Sequence, residues 1–184
     1  MSDPVVRLAH RYGEPRSLVC TLPSVDFPPL SERKHGEVCM AILRRGGGFL
    51  LQTKRSYPNS VMRLPSGGIK PGEDIEHALV REIWEETNLD VIIERFVAVL
   101  RYRDESGPTA FRTFLFLVRE VNGSLRSNDP HEHISQWCEA TPAQLPYYAE
   151  QLRRMQPSWR NWGLFRAAAL DALSEHLATR QATT

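Results

Sequence analysis

The pattern of apolar and polar positions divides the chain into a largely polar N-terminal stretch and a body where apolar runs alternate with polar turns. Residues 1–34 are rich in proline, serine and charge, with one apolar patch at Leu18–Leu22. They predict an extended arm able to supply an edge strand, and Pro28-Pro29 excludes a helix there. Ordered structure is expected from about Glu37. Val38–Leu43 reads as a buried strand, Gly46-Gly47-Gly48 as a turn and Phe49–Lys54 as the second strand of a hairpin. The loop at 56–60 precedes a short apolar step, Val61–Leu64, and the turn Pro65-Ser66-Gly67-Gly68. A helix is predicted from Glu73 to Thr87. Val91–Tyr102 and Ala110–Glu120 follow as long strands joined by a polar loop, Arg103–Thr109. Asn122-Gly123 marks a turn, 128–133 a charged loop and Ile134–Glu139 a short strand. Thr141-Pro142 starts a helix, and a last helix opens after Pro157 with Ser158 as cap. Its apolar stripe is Trp162, Phe165, Ala169, Leu173 and Leu177.

The helix from Glu73 breaks its own pattern. At about 100° per residue, Ile75, Ala78 and Leu79 share one face, as packing on a sheet requires. Glu82 and Glu86 continue that face, with Glu85 at its margin. Like charges at this spacing repel, and acids in the last turns oppose the helix dipole. Local rules broken together mark functional sites, and a hard divalent cation would relieve all of these conflicts. The plain alternative is a solvated charge run. The context upstream argues against it: Gly67, Gly68 and Gly72 bring loop backbone close, Glu73 stands at the helix start, and Arg81 can pin Glu85.

Composition narrows the classes. The 184 residues carry a formal net charge of +1, which offers no support for a nucleic-acid or membrane partner. Cys20, Cys39 and Cys138 are scattered and lack ligand spacing, which suggests reduced thiols in a cytoplasm. No signal peptide or spanning segment is expected.

Gly67–Leu89 resembles the signature of the Nudix hydrolase family: Gly67, Glu73, Arg81, Glu82, Ile83, Glu85, Glu86 and Leu89 all stand at its spacings. Asn88 replaces the family glycine, at a position where a left-handed residue ends the helix and asparagine is the next best choice. The resemblance implies an α/β (α+β) fold, a mixed β-sheet sandwiched between helices. Residues 35–155 would form that domain, 1–34 the N-terminal arm and 156–184 a C-terminal helix packed on it. It further implies that Glu82, Glu85 and Glu86 bind Mg²⁺ or Mn²⁺, with the Gly67 carbonyl as an added ligand. Glu73 would support the loop or bind a further metal, and Arg81 would orient an acid.

Cleavage of a diphosphate linkage, in a nucleoside diphosphate joined to another group, is the implied activity. The general base is either a helix glutamate, Glu85 or Glu82, or an acid of the loop 128–139. There Glu132 ranks above Asp129 and Glu139, and His131 and His133 receive no role. Arg44, Arg45, Lys54, Arg55 and Arg63 precede the signature, with Arg55 and Arg63 the best placed for phosphate. Tyr57, Phe111 and Trp137 could stack on a base, though core packing is the commoner role. Trp159 and Trp162 suit docking surface better. A nucleotide-sensing module and a diphosphate isomerase of the same fold are the alternatives. The intact acids and arginine favour the enzyme, and Cys39 alone bears on the isomerase. The substrate is a small molecule, and a homodimer is left open.

Overall fold

Val38, Met40 and Ile42 alternate with Cys39 and Ala41, and all five are buried, because both faces of the strand are covered. The computed structural model describes residues 3–27, 30, 36–58 and 61–181. Its elements are α1 (Pro4–Tyr12), β1 (Arg16–Thr21), β2 (Glu37–Leu43), β3 (Phe49–Lys54), β4 (Ser66–Gly68), α2 (Ile75–Thr87), β5 (Leu89–Asp104), β6 (Gly107–Gly123), β7 (Ile134–Ala140), α3 (Leu145–Arg153) and α4 (Arg160–Gln181). The strands form one mixed sheet in the order β1-β5-β6-β2-β3-β7, with β4 paired to β2. β1/β5 and β2/β6 run parallel, and the remaining neighbours antiparallel.

Helices cover both faces. Leu8 of α1 and Ile75, Ala78, Leu79 and Ile83 of α2 pack on Val38, Met40, Leu50, Phe114 and Phe116. On the other face, Leu145, Ala149 and Leu152 of α3 and Phe165, Leu170 and Leu173 of α4 pack on Cys39, Ala41, Leu51, Leu115 and Leu117. This is the mixed sheet between helices that the sequence implied. Among the described residues no helix is long and apolar enough to cross a membrane.

One topological detail positions the site. β2 and β3 meet beside their turn, at Leu43 opposite Phe49, and then spread. The segment from Arg63 to Gly68 fills the wedge: Arg63 pairs with Gln52 of β3, and Ser66–Gly68 with Cys39–Glu37 of β2. The glycine turn is therefore part of the sheet.

Four expectations need correction. Residues 4–12 form α1 rather than extended arm; Asp3 accepts from the Val5 amide, Pro4 fits the first turn, and Leu8 alone is buried. Val5 and Tyr12 pack beside Leu8 on the same cluster, at i, i+3 and i+7. The helical period is therefore present in the sequence and is masked only by the proline, serine and charge of the stretch around it. Arg103–Thr109 is mostly strand, because β5 and β6 continue to a turn at Glu105 and Ser106, where the Asp104 carboxylate accepts from Ser106. Asn122 and Gly123 are no turn, since they pair with Asp90 and Leu89 at the far end of that ladder. A 3₁₀ turn, Pro157–Trp159, precedes α4, so Ser158 is not its cap. Pro28-Pro29 lies outside the described residues.

Candidate active site

The helix α2 is anchored at its start. Asp74 accepts from the Glu76 amide at 2.9 Å. Arg7 pairs with Asp74, and Arg11 and Tyr12 reach Glu76 at 2.6 and 2.8 Å. The buried stripe runs Ile75, Ala78, Leu79, Glu82, Ile83 and Glu86, so two carboxylates end a core face. Glu82 is 6% exposed and Glu86 fully buried.

Glu82 lies against Gly67. A Cβ at residue 67 would stand 1.8 Å from the Glu82 Cδ, so a glycine is required here by close approach. Arg81 gathers the neighbouring acids. Its guanidinium donates to both oxygens of Glu73 (2.7 and 2.8 Å), to Glu82 (2.7 Å), to Glu85 (2.8 Å) and to the Gly68 carbonyl (2.9 Å). The hydrogen bonds from Arg81 hold the Glu73 carboxyl down at about 2. Burial raises Glu82 above the usual carboxylate range, against the pull of Arg81.

At the other end of α2 the last carbonyls lack intrahelical donors. The amides of Asn128 and Asp129 supply Glu85 (2.8 and 3.2 Å), and Arg126 supplies Thr87 at 3.1 Å. Asn88, left-handed at φ 55°, donates to the Ser124 carbonyl and accepts from Arg126 and Asn128. This stapled loop ends in a 3₁₀ turn, Pro130–Glu132, capped by Asp129. Glu132 is thereby delivered to Lys54 of β3, whose ammonium also stands 3.3 Å from Glu86. Partial burial pushes Glu132 up, but Lys54 outweighs it and keeps the carboxyl below its usual range. Burial pushes Glu86 up to about 7, against Arg63 and Lys54.

The site thus brings Gly67, Glu73, Arg81, Glu82, Glu85, Glu86 and Glu132 together and adds Lys54 as a bridge. The five cations separate. Arg44 and Arg45 bind Glu120 at the opposite end of β2. Arg55 is exposed beside the site loop, its amide bonded to the His133 carbonyl. Arg63, expected to meet phosphate, is 2% exposed, and its guanidinium is taken by Tyr57, the Leu64 carbonyl and Ser66. Glu139 lies near Arg44 and the glycine turn at 46–48, away from α2. Phe111 is core, packed on Tyr102 and Phe165. Trp137 is partly buried on the α2 face, and Tyr57 packs on Trp159 and Trp162.

Whether these residues suit a cation can be judged from their atoms. Both oxygens of Glu86 are buried without a hydrogen-bond partner among the described residues. Together with Glu82, Glu85, Glu132 and the Gly67 carbonyl they form an all-oxygen donor set, the kind a hard divalent cation takes. Among the described residues no three acidic, histidine or cysteine side chains already stand in a coordinating arrangement, because Arg81 and Lys54 hold the acids. The donor type fits a hard cation, while Arg81 is paired with Glu82 and Glu85 and Lys54 with Glu86 and Glu132.

Fold and site define an α/β sandwich with buried helix acids at a glycine turn. A model of the NUDIX domain matches residues 33–159, and the chain belongs to that family. It is 29% identical over 133 residues to a human protein named 8-oxo-dGDP phosphatase NUDT18, covering 68% of this chain and 40% of that one. The chain thus spans well under half the length of that relative. A protein of Methanocaldococcus jannaschii named ADP-ribose pyrophosphatase is 24% identical over 121 residues, covering 65% of this chain and 72% of its own length. Among solved structures, a C. elegans Ap4A hydrolase has the same fold, with TM-score 0.53, 24% identity, and coverage of 78% of this chain and 98% of the other.

Proposed function

We propose that this chain is a metal-dependent hydrolase of a diphosphate linkage, acting on a nucleoside diphosphate joined to another group. The observation that carries this reading is Glu86: a buried carboxylate without a hydrogen-bond partner among the described residues, paired loosely with Lys54 at 3.3 Å, on the face where Glu82 meets Gly67. Burial pushes its carboxyl up to about 7 despite Lys54, so the charge is only partly compensated and a divalent cation would complete its neutralisation. The relatives' names support the substrate class, since 8-oxo-dGDP and ADP-ribose both contain a nucleoside diphosphate.

Glu82, Glu85, Glu86 and the Gly67 carbonyl would hold Mg²⁺ or Mn²⁺. When bound, such an ion neutralises charge on the diphosphate oxygens and acidifies a water. Arg81 keeps three acids assembled, and Glu73, locked to it, fixes the loop rather than serving as a free ligand. Glu132 is held ionised at neutral pH by Lys54, the state a general base needs. Arg55, exposed beside the site loop, would meet substrate phosphate, while buried Arg63 lends its charge to Glu86. The substrate is a small molecule. Three unpaired cysteines suit a reducing compartment, the cytoplasm.

The test is hydrolysis of 8-oxo-dGDP, ADP-ribose and Ap4A with added Mg²⁺ or Mn²⁺. Release of a nucleotide is expected, and Glu82→Gln and Glu86→Gln should each lower the rate about 100-fold or more while remaining folded. Full activity in EDTA would sink the proposal. Tight binding of one compound without cleavage would favour a sensor.

A further inference from the structure

Beneath the glycine turn lies a buried polar cluster that the signature does not contain. Glu37 is 1% exposed at the start of β2. Arg166 of α4, 9% exposed, places one terminal nitrogen 2.8 and 3.0 Å from the two Glu37 oxygens and 2.8 Å from the Ser66 hydroxyl. Arg63 reaches the same hydroxyl at 3.1 Å. Thr113 donates to Glu37 at 3.0 Å, and Tyr102 donates to Thr113 at 2.9 Å. Two guanidiniums therefore grip the side chain of the residue immediately before Gly67.

Ser66 and Gly67 sit in the ladder opposite Cys39 and Val38, so the turn is held from its backbone on one side and from Ser66 on the other. A small displacement of Gly67 would be felt at once by Glu82, since there is no room for even one carbon between them. Arg166 lies beyond residue 159, where the family match ends. We propose that Arg166 is a positioning residue for the metal site, acting through Ser66, so that α4 belongs to the catalytic unit. This rests on the hydrolase reading. Groups that hold a ligand-bearing segment typically change metal affinity by about 10- to 100-fold when removed.

A bare Arg166→Met change leaves Glu37 buried without its partner and can simply unfold the protein. The decisive variants are therefore Ser66→Ala, the conservative Arg166→Lys, and the charge-balanced pair Glu37→Gln with Arg166→Met. Mn²⁺ binding is followed by the electron paramagnetic resonance signal of the free ion, and the thermal midpoint is measured without metal. A purely structural role predicts that the balanced pair recovers both midpoint and affinity. Positioning predicts that Mn²⁺ binds about 10-fold or more weakly in Ser66→Ala and in the balanced pair, whatever their midpoints, with Arg166→Lys between them and wild type. Affinities within twofold of wild type in Ser66→Ala would overturn the inference, and that variant decides if the pair fails to fold. Wild type that binds no Mn²⁺ would overturn the hydrolase proposal and this inference together.

Discussion

Gly67 and Glu82 share a volume that one added methyl would fill, since a Cβ would stand 1.8 Å from the Glu82 Cδ and 2.4 Å from its Cγ. Gly67→Ala is expected to push Glu82 from its place, costing about 1–3 kcal/mol through overpacking and weakening Mn²⁺ binding beyond what the midpoint shift explains. Mn²⁺ titration beside thermal unfolding separates the two effects. Far from the site, Glu120 is 2% exposed and holds Arg44 and Arg45, and these pairs keep its carboxyl below the usual range against the push of burial. A lowered folded pKa means that the pairs stabilise the protein above the unfolded value, near 4.3, and that this is lost as pH falls through the lower folded value. Glu120→Gln should therefore cost about 1–2 kcal/mol at pH 7, and less as the pH drops below 4. Urea unfolding at pH 7 and pH 3.5 checks the sign. Its metal-dependent rate should match wild type.

At the scale of elements, the C-terminal end of α2 and the loop 124–129 form one unit. The helix ends on carbonyls that need donors, and the loop brings them, with Asn88 as the hook. Asn88→Gly removes the cost of a left-handed asparagine but also three side-chain bonds, so stability should change by less than about 1 kcal/mol. Asn88→Ala keeps the backbone cost and loses the bonds, which should cost about 2 kcal/mol. Equal unfolding free energies for the two would refute this view of the cap. In both, amides 126–129 should exchange faster, because the loop that carries Glu132 has lost its hook. The acidic stripe of α2 was legible in the sequence because helical spacing is local. Lys54 was visible only as one cation among five, since its partners, Glu86 and Glu132, come from distant elements.

For the whole molecule, the two helical layers close on a sheet whose central strands are buried on both sides. The α3/α4 layer is tight: a Cβ at Gly163 would lie 2.1 Å from the Leu152 carbonyl oxygen. Glycine to alanine inside a helix usually stabilises by up to ~1 kcal/mol, but Gly163→Ala should destabilise by about 1–3 kcal/mol as the helices are forced apart. Urea denaturation gives the sign directly. Arg166 was also legible in principle, because it stands four residues after Trp162 and three before Ala169, on the apolar face of α4. A charge on such a face implies a buried partner. The sequence could not name Glu37, 129 positions away.

The sequence by itself determined what depends on near neighbours: the strand runs, the helix that turns from core to carboxylate, the glycine turn before it and the family signature. These follow from side-chain period and backbone tolerance over a few residues. Tertiary structure alone decided the wedge between β2 and β3 that holds Gly67, the delivery of Glu132 to Lys54, the inward turn of Arg63 and the Arg166–Glu37 pair. The Glu132–Lys54 and Arg166–Glu37 pairs join positions 78 and 129 residues apart. Arg63, whose partners are near in sequence, is turned inward only because the wedge is buried. All are fixed by which buried polar groups must find partners once the layers close.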